Sequence, residues 1–303
     1  MKLIICGNGF DLHHNIPTGY NNYKDYLEKH FPKFLKGFER FEFFAPIGSL
    51  WSDVEGALSI DYEELMDSVQ TSYPDAMEDG DSKWGRMAID VELITEPLNG
   101  FTGIKFAQWL NTIDIRDCLL DPNLHLSKED LYLTFNYTDT LQKVYKIPED
   151  HILHIHGKLT NINNCSEETV RAEIQFGSSE ISAEKVEREI GKLYERQEFF
   201  GASTQVALDV LTEFVKTITK DLQKNYSKLK GFIKQKPISE IVIMGHSMAG
   251  TDVAYYKDII VPKYRNKRWT FMHYDDPNRT DNLAQIESFI KEFKLDKTSI
   301  VDW

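Results

Sequence analysis

The residues of this chain that could do chemistry lie in four short polar stretches: GNGFD at 7–11, FNYTD at 135–139, HIHG at 154–157 and GHS at 245–247. Asn136 and His156 pair a neutral amide with an imidazole that titrates near neutral pH. Such a pair can position and deprotonate a water or a ribose hydroxyl. The plainer reading of Asn136 is a cap for a helix starting near Thr138. Gly7 and Gly9 permit a close backbone approach to a phosphate, and Asn8 and Asp11 could reach a ribose; a tight two-glycine turn is the alternative. The dinucleotide fingerprint GxGxxG is incomplete, because Leu12 stands where its third glycine would be.

Neighbouring residues suggest two other chemistries. GHSMAG has the shape of a serine-hydrolase elbow, GxSxG with Ala249 in place of the last glycine, which would make Ser247 the nucleophile. Only 56 residues follow Ser247, and no HGGG-type oxyanion loop precedes it. His154 and His156, two apart on a strand, would share a face and could suggest a metal. The supplement of Asp11, His13 and His14 does not complete a two-metal ligand set, so no metal is expected. A packed core histidine is the reading preferred for His154.

The elements that must position these residues alternate in type. Lys2–Cys6, Leu131–Thr134, Ile152–His156, Ile238–Met244 and Arg268–Tyr274 read as strands, with Ile174–Gly177 as a further candidate. Helical patterns occupy Asn21 to about Phe44 (broken near Pro32), Trp51–Val69, Phe101–Leu110, 138–145, 183–234 with a break near Gly201, Asp252–Ile260 and Asn282–Phe293. This rhythm predicts an α/β fold, a Rossmann-like open and mostly parallel sheet in a single domain over 1–303. Large helical insertions at 20–120 and 180–235 are expected to form a second lobe. In such sheets ligands bind outside the carboxyl ends of the strands, and each polar stretch sits at one of those ends.

Composition narrows the function classes. The chain has 303 residues, 41% hydrophobic and 27% charged, with a formal charge of −13, a balance that disfavours general nucleic-acid binding. The acidity is concentrated: residues 51–100 hold thirteen Asp and Glu against Lys83 and Arg86, and the 70–82 region reads as a solvated, mobile loop. Three cysteines without a CxxC spacing give neither a zinc ribbon nor a disulfide framework. No apolar run approaches the roughly 18 residues of a membrane span, and the short apolar start is not a signal peptide. A cytoplasmic protein is expected.

Taken in order, GNGFDLHHNIPTGY, WSDVE at 51–55, TFNYTDTLQKVY, HIHGK and GHSMAGTD at 245–252 resemble the signature of the AbiH family of bacteriophage abortive infection proteins. The same motifs are remotely similar to the sirtuin-like NAD-binding fold. The sirtuin loop GAGIS…GIP lies on Gly7, Asn8, Gly9, Phe10, Asp11 and on Asn15, Ile16, Pro17. Its T-x-N-x-D motif resembles Thr134–Asn136 with one extra residue, Thr138, before Asp139. Its HG dipeptide matches His156–Gly157, and its late glycine–serine loop resembles Gly245–Ser247, followed by Asp252. Missing are the zinc module and an arginine, where Tyr20 stands, which argues against protein deacylation.

The resemblance implies an antiphage protein that binds NAD or a related nucleotide and hydrolyses the nicotinamide–ribose bond, with Asn136 and His156 catalytic. Nucleotide contacts are implied for Gly7, Asn8, Gly9, Phe10, Asp11, Pro17, Thr18, Asp139, Gly245, His246, Ser247 and Asp252. Amides of the glycine loop are expected to carry the phosphates. Partners compatible with this reading are a nucleotide, a phage-encoded trigger and another copy of the chain. The rival readings are a non-enzymatic sensor of a nucleotide or phage component and a hydrolase using Ser247.

Overall fold

The computed structural model describes residues 1–44, 50–60, 64–65, 86–98, 100–116, 118, 121–158, 166–178, 188, 201–273 and 282–303. The acidic 70–82 region and most of 183–200 lie outside the described residues. The chain divides into two compact units. One comprises Met1–Asn22, Ala107–Asn164 and Leu222–Trp303, the other Tyr23–Phe106 and Cys165–Asp221.

The first unit carries six strands: β1 (Lys2–Cys6), β2 (Leu131–Thr134), β3 (Ile152–His154), β4 (Glu240–Met244), β5 (Arg268–His273) and β6 (Thr298–Asp302). They form one sheet in the order β3-β2-β1-β4-β5-β6, with every pair parallel. The chain starts in the middle and builds outward on one side and then the other, so the topological switch point falls between β1 and β4. Register aligns the strand ends: Cys6 pairs with Thr134 and Met244, Thr134 with His154, and Met244 with Met272. The loops that follow β1, β2, β3 and β4 therefore leave the sheet at one level.

Strands β1, β2 and β4 are buried because both faces are covered, which is why they read as unbroken apolar runs. Leu3, Ile5, Leu131, Leu133, Ile241, Ile243, Trp269 and Phe271 pack with Leu229, Tyr255, Tyr256, Ile260, Ile286 and Phe289 of later helices. The other face carries Ile4, Cys6, Tyr132, Val242 and Met244 with Phe10, Leu141 and Ile147.

Several boundaries differ from those the pattern suggests. Asn21–Phe44 resolves into helices Tyr20–His30 and Pro32–Phe38, with Pro32 opening the second because its missing N–H has no partner to lose there. The Phe101–Leu110 pattern is a helix at Ile104–Thr112. The pattern at Trp51–Val69 is helical at Val54–Ala57, and its last four residues lie outside the described ones. Gly201 opens a helix, Gly201–Ile218, and the break before Leu222–Phe232 falls later. Ile174–Gly177 is not a continuous strand: Ile174 is a single bridge residue, and among the described residues the next, Ser178, pairs in parallel with Thr219. The helix expected at Asp252–Ile260 is irregular, a 3₁₀ turn, a short α segment and a π turn at Tyr256–Ile260. Strand β6 was not anticipated. It is exposed throughout, so no buried alternation marks it.

The second unit is helical around an aromatic core. Phe38 stacks on Phe101 at 3.9 Å, and the buried Tyr23 hydroxyl donates to the Phe101 carbonyl at 2.7 Å. The WSDVE stretch is used here structurally. Trp51 donates to Glu39, Asp53 caps the short helix by accepting from Gly56 N, and Glu55 pairs with the buried Lys220 at 2.7 Å.

Trp269 is fully enclosed beneath the Asn282–Phe293 helix, and its indole N–H donates to the Tyr264 carbonyl. Trp269→Ala is expected to cost about 3–5 kcal/mol. Chemical denaturation checks this, and an unchanged midpoint would contradict the packing.

Candidate functional site

At the switch point the loops after β1 and β4 touch through their backbones. Gly7 N–H donates to Met244 O at 3.0 Å, Gly9 N–H to Gly245 O at 2.8 Å, and Phe10 N–H back to Gly7 O at 2.9 Å. A Cβ on Gly7 would lie 2.6 Å from His246 Cα, and one on Gly9 2.8 Å from Gly245 Cα. Gly245 adopts φ +61°, and its Cβ would sit 2.2 Å from Phe10 N. The expected phosphate cradle therefore needs correction: these glycines make room for the neighbouring loop, and three of the loop amides are already bonded inside the protein.

The loop after β2 is tied to the same turn. Asn136 donates its side-chain N–H to Gly7 O at 2.9 Å. Thr138 and Thr140 donate to the two oxygens of Asp11 at 2.6 and 2.9 Å. Asp11 is fully buried, so the ribose contact expected of it is replaced by an internal one. Burial pushes its carboxyl up to about 6, against the opposing pull of hydrogen bonds from Thr138, Thr140 and Asn136. The extra residue Thr138 thus has a definite partner. Asp139 is placed between Lys158 (2.8 Å) and Lys143 (3.1 Å). Burial works to raise its carboxyl, but the two lysines outweigh it and hold the group below its ordinary range. The helix after this loop is Thr140–Lys143, with Asp139 at its N-cap position; the side chain of Asn136 goes to Gly7 instead.

The two histidines of HIHG separate. β3 ends at His154, and His156 lies in the turn beyond, where Gly157 adopts φ +87°. The expectation of a shared strand face fails for that reason. His154 Nδ1 meets Asn136 O at 2.9 Å and its Nε2 meets the Gln142 amide nitrogen at 2.8 Å, a pattern satisfied by a neutral ring with its proton on Nδ1. Burial lowers its pKa. His156 is 3% exposed, and its Nε2 lies 3.2 Å from Asp252 Oδ1. On the other carboxylate oxygen, His246 Nε2 approaches to 3.7 Å, while His246 Nδ1 accepts from Met248 N–H at 2.9 Å. Phe135 stands between the imidazoles, 5.3 Å from the His156 ring and 4.2 Å from that of His246. Four successive strand-end loops therefore supply one connected polar cluster.

The family model for bacteriophage abortive infection AbiH matches residues 3–273, a span that includes every one of these loops. The chain belongs to the AbiH family. It is an abortive infection protein of antiphage defence. No curated protein and no solved structure matches it.

In this AbiH protein the exposed rim is formed by Asn8, Pro17 and Ser247. Asn8 Oδ1 accepts from the Thr18 hydroxyl at 2.6 Å, joining the two parts of the first loop. Ser247 does not have an elbow geometry. The left-handed residue of its turn is Met248 (φ +54°), and the adjacent His246 is turned toward Met248 N and Asp252. Among the described residues no group of three His, Cys, Asp or Glu could hold a metal ion, and no helix is long and apolar enough to cross a membrane. Sequence reasoning missed Thr140, Gln142 and Tyr256 as members of the cluster. Spacing could have indicated Thr140 and Gln142, which lie in the short helix that follows Asn136, whereas Tyr256 depends on a π turn that no pattern signals.

Two predictions follow from this geometry. Gly245→Ala combines a positive φ with a backbone collision and should destabilise by roughly 2–4 kcal/mol; a denaturation midpoint equal to wild type would rule out the loop contact. Asp11 keeps its proton to about 6 in the folded chain but loses it near 3.9 when unfolded. The folded state then binds more protons between these values, so this contribution is complete below about pH 4 and disappears as pH rises through 6. It amounts to about 3 kcal/mol. In unfolding curves at pH 4.5 and 7, Asp11→Asn should lack this part of the fall in stability; parallel pH dependence in both proteins would refute the assignment.

Proposed function

We propose that this abortive infection protein binds NAD or a related nucleotide at the carboxyl ends of β1 to β4 and hydrolyses its nicotinamide–ribose bond. The observation that carries the reading is the meeting of His156 and Asn136 with the β1 and β4 loops at the switch point. The strand order is that of doubly wound dinucleotide-binding sheets, in which the ligand occupies this crevice. The sirtuin-like pattern of the motifs points to the same ligand class.

The chemistry assigns each residue a limited task. Water attacks the ribose C1′ as the C1′–N bond breaks, and the bonding pair leaves on the nicotinamide ring nitrogen, which becomes neutral. His156 accepts the proton lost by the water. The N–H groups of Asn136 are engaged by Gly7 O and Asp11, so its carbonyl oxygen is the atom that positions the attacking water. Asn8, Pro17 and Ser247 form the rim against which the nucleotide lies, with the half-buried Thr18 bonded to Asn8. Binding does not need a basic surface, in keeping with the charge of −13.

A binding-only sensor is the second reading, favoured by the near-complete burial of His156, since chemistry there requires the pocket to admit the ribose. One set of measurements separates the two. His156→Ala should lower NAD turnover by about 10²–10⁴ while nucleotide affinity, read by calorimetry, stays nearly intact. Thermal melting must show a retained fold. A folded His156→Ala protein with wild-type turnover sinks the mechanism; wild-type protein that binds NAD and never consumes it establishes the sensor.

A further inference from the structure

Strand β6 (Thr298–Asp302) ends the sheet on one side, and among the described residues it pairs with β5 alone. Its main-chain bonds fix which groups face outward. Trp269 N–H donates to Lys297 O and Trp303 N–H to His273 O, both at 2.8 Å. Alternation along a strand then turns the backbone groups of Ser299 and Val301 toward β5, and those of Thr298, Ile300 and Asp302 away from the sheet. Every residue of the strand is exposed, Ile300 at 40% and Val301 at 44%. These two aliphatics point to opposite faces, so the edge is bare on both.

An edge of this kind is a template for another strand, and proteins guard against that with short edge strands, lysine, proline, bulges or a covering element. The opposite edge shows one such guard: β3 is three residues long and gives way at once to the turn that carries His156. β6 shows none. Thr298–Asp302 contains no lysine, proline or glycine. Its register with β5 runs unbroken from Trp269–Thr298 to His273–Asp302, without a bulge. The strand is therefore straight, unguarded and apolar at its centre, which suits it to pairing.

We propose that β6 is the interface through which two copies of this chain join, antiparallel about a two-fold axis at Ile300, so that two sheets become one. An isologous contact requires a self-complementary surface, and this strand supplies it. In an antiparallel pair, residues with outward backbone groups oppose one another. With the axis at Ile300, the N–H and C=O groups of Thr298, Ile300 and Asp302 all find partners. Ile300 then lies against the partner's Ile300, and on both sides of the axis a Thr298 hydroxyl faces the partner's Asp302 carboxylate. An axis at Ser299 would set Asp296 against the partner's Asp302, and like charges directly opposite are destabilising. An axis at Val301 would leave Thr298 beyond the paired strand. Charge and hydrogen bonding thus select one register and one occupant, a second copy.

Sedimentation equilibrium and cross-linking of the full chain test this. The wild type should form dimers as its concentration rises through the micromolar range. Ile300→Cys should cross-link to its own copy under oxidised glutathione, since directly opposed residues of this type have Cα atoms about 5.5 Å apart, within disulfide reach. Val301→Cys faces the partner's Ser299 and should cross-link no more than wild type. Ile300→Pro removes an outward N–H and spares the ladder to β5. It should melt like wild type and dissociate at least about tenfold more readily. Ile300→Lys, which leaves the backbone intact, should do the same and decides the point if the proline variant does not fold. The proposal is overturned by a wild type that stays monomeric up to about 100 μM, by equal cross-linking at positions 300 and 301, or by folded variants that dimerise as tightly as wild type.

Discussion

Everything at the carboxyl end of this sheet depends on how closely the backbone after β1 lies against the backbone after β4. The contact is one of main chain on main chain, with Gly9 N–H on Gly245 O, and no side chain fits between. It closes the crevice that a parallel sheet leaves at its switch point and converts two turns into one surface. The cost is conformational, since glycines lose more freedom on folding than other residues. What it gains is a rigid floor from which Asn136, His156 and His246 can be held at defined positions.

Asp11 carries the second constraint. A carboxylate with no access to water is costly, and its raised pKa measures that cost. Hydrogen bonds from two threonine hydroxyls of the next loop offset part of it; hydrogen bonds to a charged group contribute about 1.5–3 kcal/mol each. The loop after β2 is thereby fastened to the loop after β1 by groups that would otherwise face solvent. His154 extends the chain of dependence by bonding the Asn136 main-chain carbonyl, and Gln142 fixes His154. Asn136 thus stands within a hydrogen-bonded series that begins at a buried acid.

Histidines that look equivalent in sequence are sorted by their partners. His154 has both nitrogens bonded to neutral groups and is a structural ring. His14, buried beneath Phe10, bonds the Phe10 carbonyl and the Tyr145 hydroxyl and belongs to the packing of the opposite face. Among the described residues, His156 and His246 lie against the two oxygens of one carboxylate, that of Asp252, at 3.2 and 3.7 Å. Membership of the AbiH family places this cluster in a protein of phage defence.

The sequence by itself determined the α/β class, the parallel strands, the boundaries of β1, β2 and the Asn282–Phe293 helix, and the four loops that carry polar residues. These are local properties: apolar runs of strand length, glycine ends and helical periodicity depend only on neighbours in the chain. β6 escaped because an exposed edge strand carries no burial pattern, and the π turn because it arises from packing. The roles within the site were decided by tertiary structure. Gly7 and Gly9 looked open to a phosphate until Gly245, more than two hundred residues later in the chain, occupied the space. Asp11 looked available to a ribose until Thr138 and Thr140 closed over it, and Asp252 became a neighbour of His156 only when the loops after β3 and β4 met. Which atom faces which is a long-range property, because a side chain's desolvation and hydrogen bonds are set by residues far away in sequence.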